Sequence, residues 1–358
     1  MPSRTFPERM FARGRSVCAG TIIRAKAPLR ISFVGGGTDL PLYYERYGGA
    51  VLSSTINRYA YVTLYPREDR DVRIRSLDLG YLAKYELDKG PEYDGVLDLA
   101  KAAVHRIGVE CGISIDIRSD APAGSGLGGS SALTAAVLGA VTALNGAALS
   151  TYELAELNYT IERVDLKIAG GKQDQYATTF GGFNLIEFYK DRVVVNPLRI
   201  DHDVLNDLEA HCLLCYTGHV RPDLGLVEQL VNSYREERPE ALESMRRQQE
   251  LVYSMKEALV TGQIEQLGEM LHEVYQEKKR AMPDVTKGTP ADRLYEAARQ
   301  HGAIGGKLLG AGGGGYLLLY CETSRQQEVR QELERLGGRF TDFAFDGWGL
   351  QAWRSAAR

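Results

Sequence analysis

Strong net charge, a secretory signal and any metal-ligand spacing of histidines are all missing from this 358-residue chain. The balance of 43 basic against 47 acidic side chains leaves −4, which gives no electrostatic footprint for nucleic acid or for a membrane surface. The first twenty residues carry Arg4, Arg9, Arg13 and Arg15 but no apolar core, so a signal peptide fails and a disordered extension over 1–20 is expected. Cysteine is sparse and odd in number: five thiols point to a reducing, cytoplasmic setting rather than a disulfide framework. Cys212 and Cys215 have redox-pair spacing. They sit within an apolar run, with no second pair to complete a zinc site and no helix N-terminus to acidify a thiol, so buried structural cysteines are expected. The six histidines are scattered, and no histidine metal site is assigned.

What the chain has in excess is glycine, 39 residues, many of them in clusters at 35–37, 124–129, 170–171, 181–182, 305–306 and 310–315. Each cluster lies between well-patterned segments, which marks close-approach points in a folded enzyme rather than flexible linker. The most informative runs from Asp120 to Ser131. Ahead of it, Ile113, Ile115 and Ile117 alternate with polar residues, the pattern of a half-buried strand. Behind it, Leu133, Ala136, Val137, Ala140, Val141 and Leu144 share one helical face until Gly146 supplies a stop. A glycine-rich loop feeding a helix N-terminus offers backbone N–H groups and a positive dipole end to an anion, with the Ser130 and Ser131 hydroxyls beside it. Two familiar phosphate motifs are incomplete here. Gly124, Gly126 and Gly129 match a dinucleotide fingerprint, but the strand before them alternates and a second helix, opened by Ser150 and Glu153, follows where a strand is required. The P-loop spacing also fits, yet Ser130 stands where its lysine should be.

Two further segments carry chemistry. The apolar strand Leu29 to Val34 ends in Gly35-Gly36-Gly37-Thr38-Asp39, where Asp39 is either an acceptor for hydroxyls or a cap for the helix beginning at Pro41. Beyond the helix carrying Glu162, Asp174 follows a double glycine and precedes a further helical turn, a reasonable position for a catalytic base, although a surface carboxylate is the commoner fate of such a residue. Length favours two domains. Composition changes near 197–206, dividing an N-terminal domain, 21–200, from a C-terminal one, 201–358, in which alternating strands and helices fit an α+β sandwich. Lys307 to Gly315 is a third glycine turn, able to fold over phosphates or to serve as a plain tight turn.

Taken together, Ala27-Pro28-Leu29-Arg30 through Asp39, Pro122 through Ala132, and Lys307 through Gly315 resemble the three motifs of the superfamily named for galactokinase, homoserine kinase, mevalonate kinase and phosphomevalonate kinase, and span almost the whole chain from Arg24. At finer grain, Gly35 to Asp39 with Gln173-Asp174-Gln175-Tyr176 and Gly181-Gly182-Phe183-Asn184 resembles the heptose 7-phosphate kinase branch. The resemblance implies an α+β, two-domain fold, ribosomal-protein-S5-like then ferredoxin-like, with ATP and sugar in the cleft between. It implies ATP-phosphate contacts at Pro122, Gly124, Ser125, Gly126, Leu127, Gly128, Gly129, Ser130 and Ser131. Substrate contacts fall at Gly36, Gly37, Thr38, Asp39, Gly313 and Gly314. Mg²⁺ is implied at Ser130 and Glu162, and catalysis at Asp174 with Arg30; the twelve-residue spacing from Glu162 to Asp174 agrees with the sugar-kinase members. One departure is Gly129, where many members carry serine.

The implied reaction is phosphorylation of the anomeric oxygen of D-glycero-D-manno-heptose 7-phosphate. A kinase for an unphosphorylated sugar and a non-catalytic sugar sensor are the competing expectations, and no nucleic-acid or membrane partner is expected. Homo-oligomerisation stays open. Lys26, Arg24, Lys167 and Lys172 lie in the motif-bearing segments and are the candidates for the substrate's own phosphate.

Overall fold

The computed structural model describes residues 21–219, 225–236, 238–282, 288–310 and 312–356. The expected extension over 1–20 and Ala311 of the third glycine turn lie outside them. The first half of the chain supplies β1 (Thr21–Val34), β2 (Gly49–Arg67), β3 (Asp71–Ser76), β4 (Leu82–Glu86), β5 (Gly112–Ser119), β6 (Asn184–Phe188) and β7 (Val193–Pro197). The second supplies β8 (Cys212–Tyr216), β9 (Ala303–Leu308), β10 (Tyr316–Cys321), β11 (Arg339–Phe340), β12 (Phe345–Asp346) and β13 (Gln351–Ala356).

Two sheets result. The larger runs β13-β1-β2-β5-β3-β4, with β12 and the β6/β7 pair set against the first half of β2. Its pairs are antiparallel except for parallel β3 and β5. The smaller, β11-β8-β10-β9, is antiparallel throughout, as an α+β sandwich requires. β2 departs from the sequence pattern, which predicts separate strands over 50–55 and 59–65. It is one strand of 19 residues, and the polar break at Asn57 and Arg58 is a bulge where the register against β1 shifts between Pro28 and Leu29. The last strands also depart. β12 and β13, grouped by the sequence with the C-terminal half, pair with β2 and β1 of the large sheet.

Helix Gly129–Asn145 packs across β1 and β2 and buries Ala132, Ala136, Val137, Ala140 and Val141. Left-handed Gly128 and Gly146 bound it, the second as the pattern predicts. The next helix opens with the expected capping box, Ser150 and Glu153 satisfying each other's backbone N–H groups. It changes at Thr160 to a π-helical turn, Thr160–Asp165, which a 3.6-residue pattern does not foresee. Helices Pro239–Thr261 and Leu267–Ala281 pack on each other and reach the large sheet as well as the small one. Cys212 and Cys215 are buried on β8 as free thiols, both pushed up to about 12 by burial.

Candidate active site

The loop from Asp120 to Gly128 is held at both ends. The Asp120 carboxylate accepts from Tyr59 N and Tyr61 Oη, and the Leu127 carbonyl accepts from Arg30 N at 2.9 Å. Gly126 has φ +86° and no room for a side chain: a Cβ would lie 2.5 Å from the Leu309 carbonyl oxygen. The third glycine turn is therefore pressed against the loop backbone to backbone, and Tyr316 N donates to Ser125 O at 3.0 Å. Past the loop the two serines part. Ser130 is exposed at the helix start, whereas buried Ser131 donates to Glu162 Oε1 at 2.6 Å. Glu162 projects from the π-helical turn, 2% exposed, with Arg163 Nη1 3.3 Å from Oε2. Burial raises its carboxyl above the usual range, opposed by Arg163 and by Ser131.

Arg30 joins this loop to Asp174. Its Nη1 donates to Gly126 O at 2.5 Å, while Nε and Nη2 approach Asp174 Oδ1 at 2.8 and 2.7 Å. Both donors of the fork fall on one carboxylate oxygen, in a pair whose arginine is buried and whose aspartate is partly open. Asp39 lies nearby but caps no helix: Leu40 holds the N-cap position. Its carboxylate accepts from Gly37 N at 2.9 Å and Gln173 N at 3.0 Å, tying the first glycine cluster to the segment bearing Asp174. Burial raises its carboxyl, and the charge of Asp174 adds to the effect.

Two cavities flank the Arg30–Asp174 pair and the glycine loop. The smaller, about 230 Å³, is lined by Asp39, Asp174, Arg30 and Arg163 from the first half of the chain and by Gln248 and Lys278 from the second. The larger, about 980 Å³, lies on the other side of the loop and is walled by Leu79, Tyr81, Tyr93, Leu97 and Leu133, with Ser130 at its rim. Among the described residues only Leu97 and Lys167 combine a side chain with positive φ. Leu97 lines the larger cavity, and Lys167 sits between Leu166 and Ile168, which do too, so the backbone strain of the molecule gathers around one space.

The residues picked from sequence separate accordingly. Gly36, Gly37 and Asp39 line the small pocket with Asp174 and Arg30. Thr38 does not, because its hydroxyl is spent on Gly35 O and on Ala50, stitching the loop to β2. Gly313 and Gly314 line neither cavity; Gly310 of the same turn reaches the small one. Pro122, Gly129 and Ser130 line the large cavity, while Ser125, Leu127 and Gly128 are buried in the loop's own packing. Of the four cations proposed for a substrate phosphate, none reaches the small pocket. Lys26 lies over the Tyr59 ring, Lys172 pairs with Glu156 at 3.0 Å, and exposed Arg24 pairs across the sheet with β13. Sequence reasoning missed Arg163, Lys278 and the wall of the large cavity. The one available signal for that wall was the density of large apolar residues, Leu77, Leu79, Tyr81, Leu82 and Tyr93, in an otherwise charged stretch.

Comparison with known proteins agrees with this architecture. Residues 95–182 match the model of the GHMP kinases N terminal domain and residues 255–338 that of the GHMP kinases C terminal. The chain belongs to the GHMP kinase family and is an enzyme of the kinase class. Among its relatives, the D-glycero-alpha-D-manno-heptose 7-phosphate kinase of Campylobacter jejuni is 37% identical, over 93% of this chain and 99% of that one. The crystal structure of a D-glycero-D-manno-heptose 1-phosphate kinase from Bacteroides thetaiotaomicron superposes with a TM-score of 0.79 at 32% identity, covering 94% of this chain and all of that one. Lactococcus lactis galactokinase complexed with galactose gives a TM-score of 0.76 at 20% identity, over 92% of this chain and 95% of that one, a likeness of fold. Among the described residues no helix is long and apolar enough to cross a membrane.

Proposed function

We propose that the chain transfers the γ-phosphoryl group of ATP to the anomeric O1 of D-glycero-D-manno-heptose 7-phosphate, giving the 1,7-bisphosphate. The observation carrying this reading is the end-to-end 37% identity with the Campylobacter heptose 7-phosphate kinase. The geometry supports it. The large cavity has the apolar walls a nucleotide base requires, the glycine loop borders it through Pro122, Gly129 and Ser130, and the small pocket presents Asp39 and Asp174 to a polyhydroxylated acceptor.

In that pocket Asp174 is the general base. Arg30 occupies Oδ1, which leaves Oδ2 to accept the proton of the anomeric hydroxyl, and the same guanidinium is placed to stabilise charge on the transferring group. Asp39, held by two backbone N–H donors, fixes a neighbouring hydroxyl and so orients the sugar. Among the described residues no group of three or more His, Cys, Asp and Glu side chains is arranged to hold a metal. The protein's share would be the Glu162 carboxylate and the Ser130 hydroxyl, oxygen donors of the kind Mg²⁺ accepts when nucleotide and water supply the rest. The buried Glu162 fits that role, since a cation would offset the burial that now raises its carboxyl. The chemistry supplied at these two side chains would be neutralisation of the nucleotide's phosphate charge.

An ATP-consumption screen with Mg²⁺ over heptose 7-phosphate, mannose 6-phosphate, fucose, galactose and mevalonate tests the reading, with phosphorus NMR locating the new ester. Selective turnover of the heptose phosphate at O1 is expected. Turnover of an unphosphorylated sugar alone overturns the substrate, and absence of any turnover favours a sugar sensor.

A further inference from the structure

The small pocket ends in a corner whose charges are not balanced by protein. Lys278, from helix Leu267–Ala281, donates from Nζ to Gly310 O at 2.7 Å and has no carboxylate partner among the described residues. Lys307, 6% exposed, donates to Ser32 O at 2.9 Å and Phe33 O at 3.0 Å and is likewise without an ion pair there. Arg30 is the third cation, and the single carboxylate paired with these three is Asp174. The pocket's other carboxylate, Asp39, is engaged by Gly37 N, Gln173 N and Gln173 Nε2 and forms no ion pair with either lysine. The Ser32 hydroxyl, in a residue 5% exposed that lines the same pocket, has no partner. Enclosed cations without counter-charge and a buried hydroxyl without a partner are each costly alone. Together they have the charge and donor set of a phosphate monoester's receptor, which carries close to two negative charges and accepts several hydrogen bonds.

We infer that Lys278 and Lys307, from the C-terminal half of the chain, form with Ser32 of β1 a phosphoryl-binding site where the two halves meet. This rests on the proposed sugar-phosphate kinase reading and names the residues that would read the phosphate. Two groups of this chemistry enter the pocket during such a reaction, the acceptor's own phosphate and the γ-phosphoryl group of the nucleotide. The arrangement has the same consequence in both cases: Lys278 closes onto an anion that the first half of the chain does not neutralise by itself. Burial, with the Arg30 charge second, holds the Lys278 ammonium down to about 8, and burial with the Lys278 and Arg30 charges lowers Lys307, so both gain charge stabilisation when an anion arrives.

The test compares Lys278→Met and Lys278→Arg with the wild type for kcat and for the KM of ATP and of heptose 7-phosphate, folding being checked by circular dichroism. A rise of about 30-fold in the sugar-phosphate KM for the methionine variant, with the ATP KM unchanged and partial recovery in the arginine variant, assigns the site to the acceptor's phosphate. A comparable loss in kcat with both KM values unchanged assigns it to the transferring group. All parameters within twofold of wild type overturn the inference. If Lys278→Met does not fold, Lys278→Gln and Ser32→Ala take its place, and wild-type constants in both overturn it. Calorimetric titration with inorganic phosphate alone separates this inference from the choice of sugar. Weakened phosphate binding in Lys278→Met supports the site even if the wild type ignores heptose 7-phosphate, and equal affinity overturns it.

Discussion

The two cavities on either side of the glycine loop are built on opposite terms. The larger is walled by apolar and aromatic side chains of the first half of the chain alone, and among the described residues the only side-chain-bearing positions with positive φ lie along it. The smaller has a quarter of the volume, is crossed by charge, and takes its lining from both halves. A nucleotide's base is recognised by shape and stacking, which one domain can provide. An acceptor that must be oriented within a fraction of an ångström of a base is recognised by charge and hydrogen bonds converging from two sides. On the proposed reading, acceptor specificity would reside where the two halves of the chain meet, and nucleotide recognition in the first half alone.

That contrast makes graded predictions. Asp174→Asn, in the small pocket, should lower kcat by about 10²–10⁴ with the nucleotide KM little changed, and near-normal turnover would remove Asp174 as the base. The apparent second-order constant for the phosphorylated sugar should fall above pH 8 and level off about 30-fold lower, because Lys278 carries its charge only below its lowered value. A pH profile of Lys278→Arg, which stays charged, should lose that limb, whereas the same limb in both proteins would assign it elsewhere. Gly126→Ala places a methyl against Leu309 and should cost about 1–3 kcal/mol in urea unfolding. Unchanged stability there would mean that the second and third glycine turns are not locked together. Tyr81→Ala, in the large cavity, should raise the ATP KM about 3–10-fold through lost ring contact and leave the sugar KM alone. An equal effect on both substrates would dissolve the distinction between the cavities.

Those features that sequence made legible are the ones with local causes. The loop from Asp120 to Gly128, the helix it opens and the stop at Gly146 follow from glycine conformations and a 3.6-residue pattern within some thirty residues. Arg30 and Asp174, 144 positions apart, were found through family motifs, and they meet at 2.7 Å. Thr38 went astray because its hydroxyl has two possible uses, and only the position of Ala50 decides for the backbone. Lys278 was invisible for a different reason. Next to Lys279 and Arg280 it resembles any basic helix end, and what sets it apart is that Lys279 pairs with Asp292 at 2.5 Å whereas Lys278 turns toward Gly310. The bulge in β2 likewise depends on its register against another strand, β1.

The pairing of β13 with β1 joins segments far apart in sequence. Thr21 and Ala356 face each other across the sheet, so the outer edge of β1 is covered by residues more than 300 positions away. Without β13 the outer edge of β1 would present unpaired backbone groups, the kind of edge that pairs with other chains. Residues 351–356 therefore act as a clasp, and their pairing is a contact of high sequence separation of the kind that slows folding.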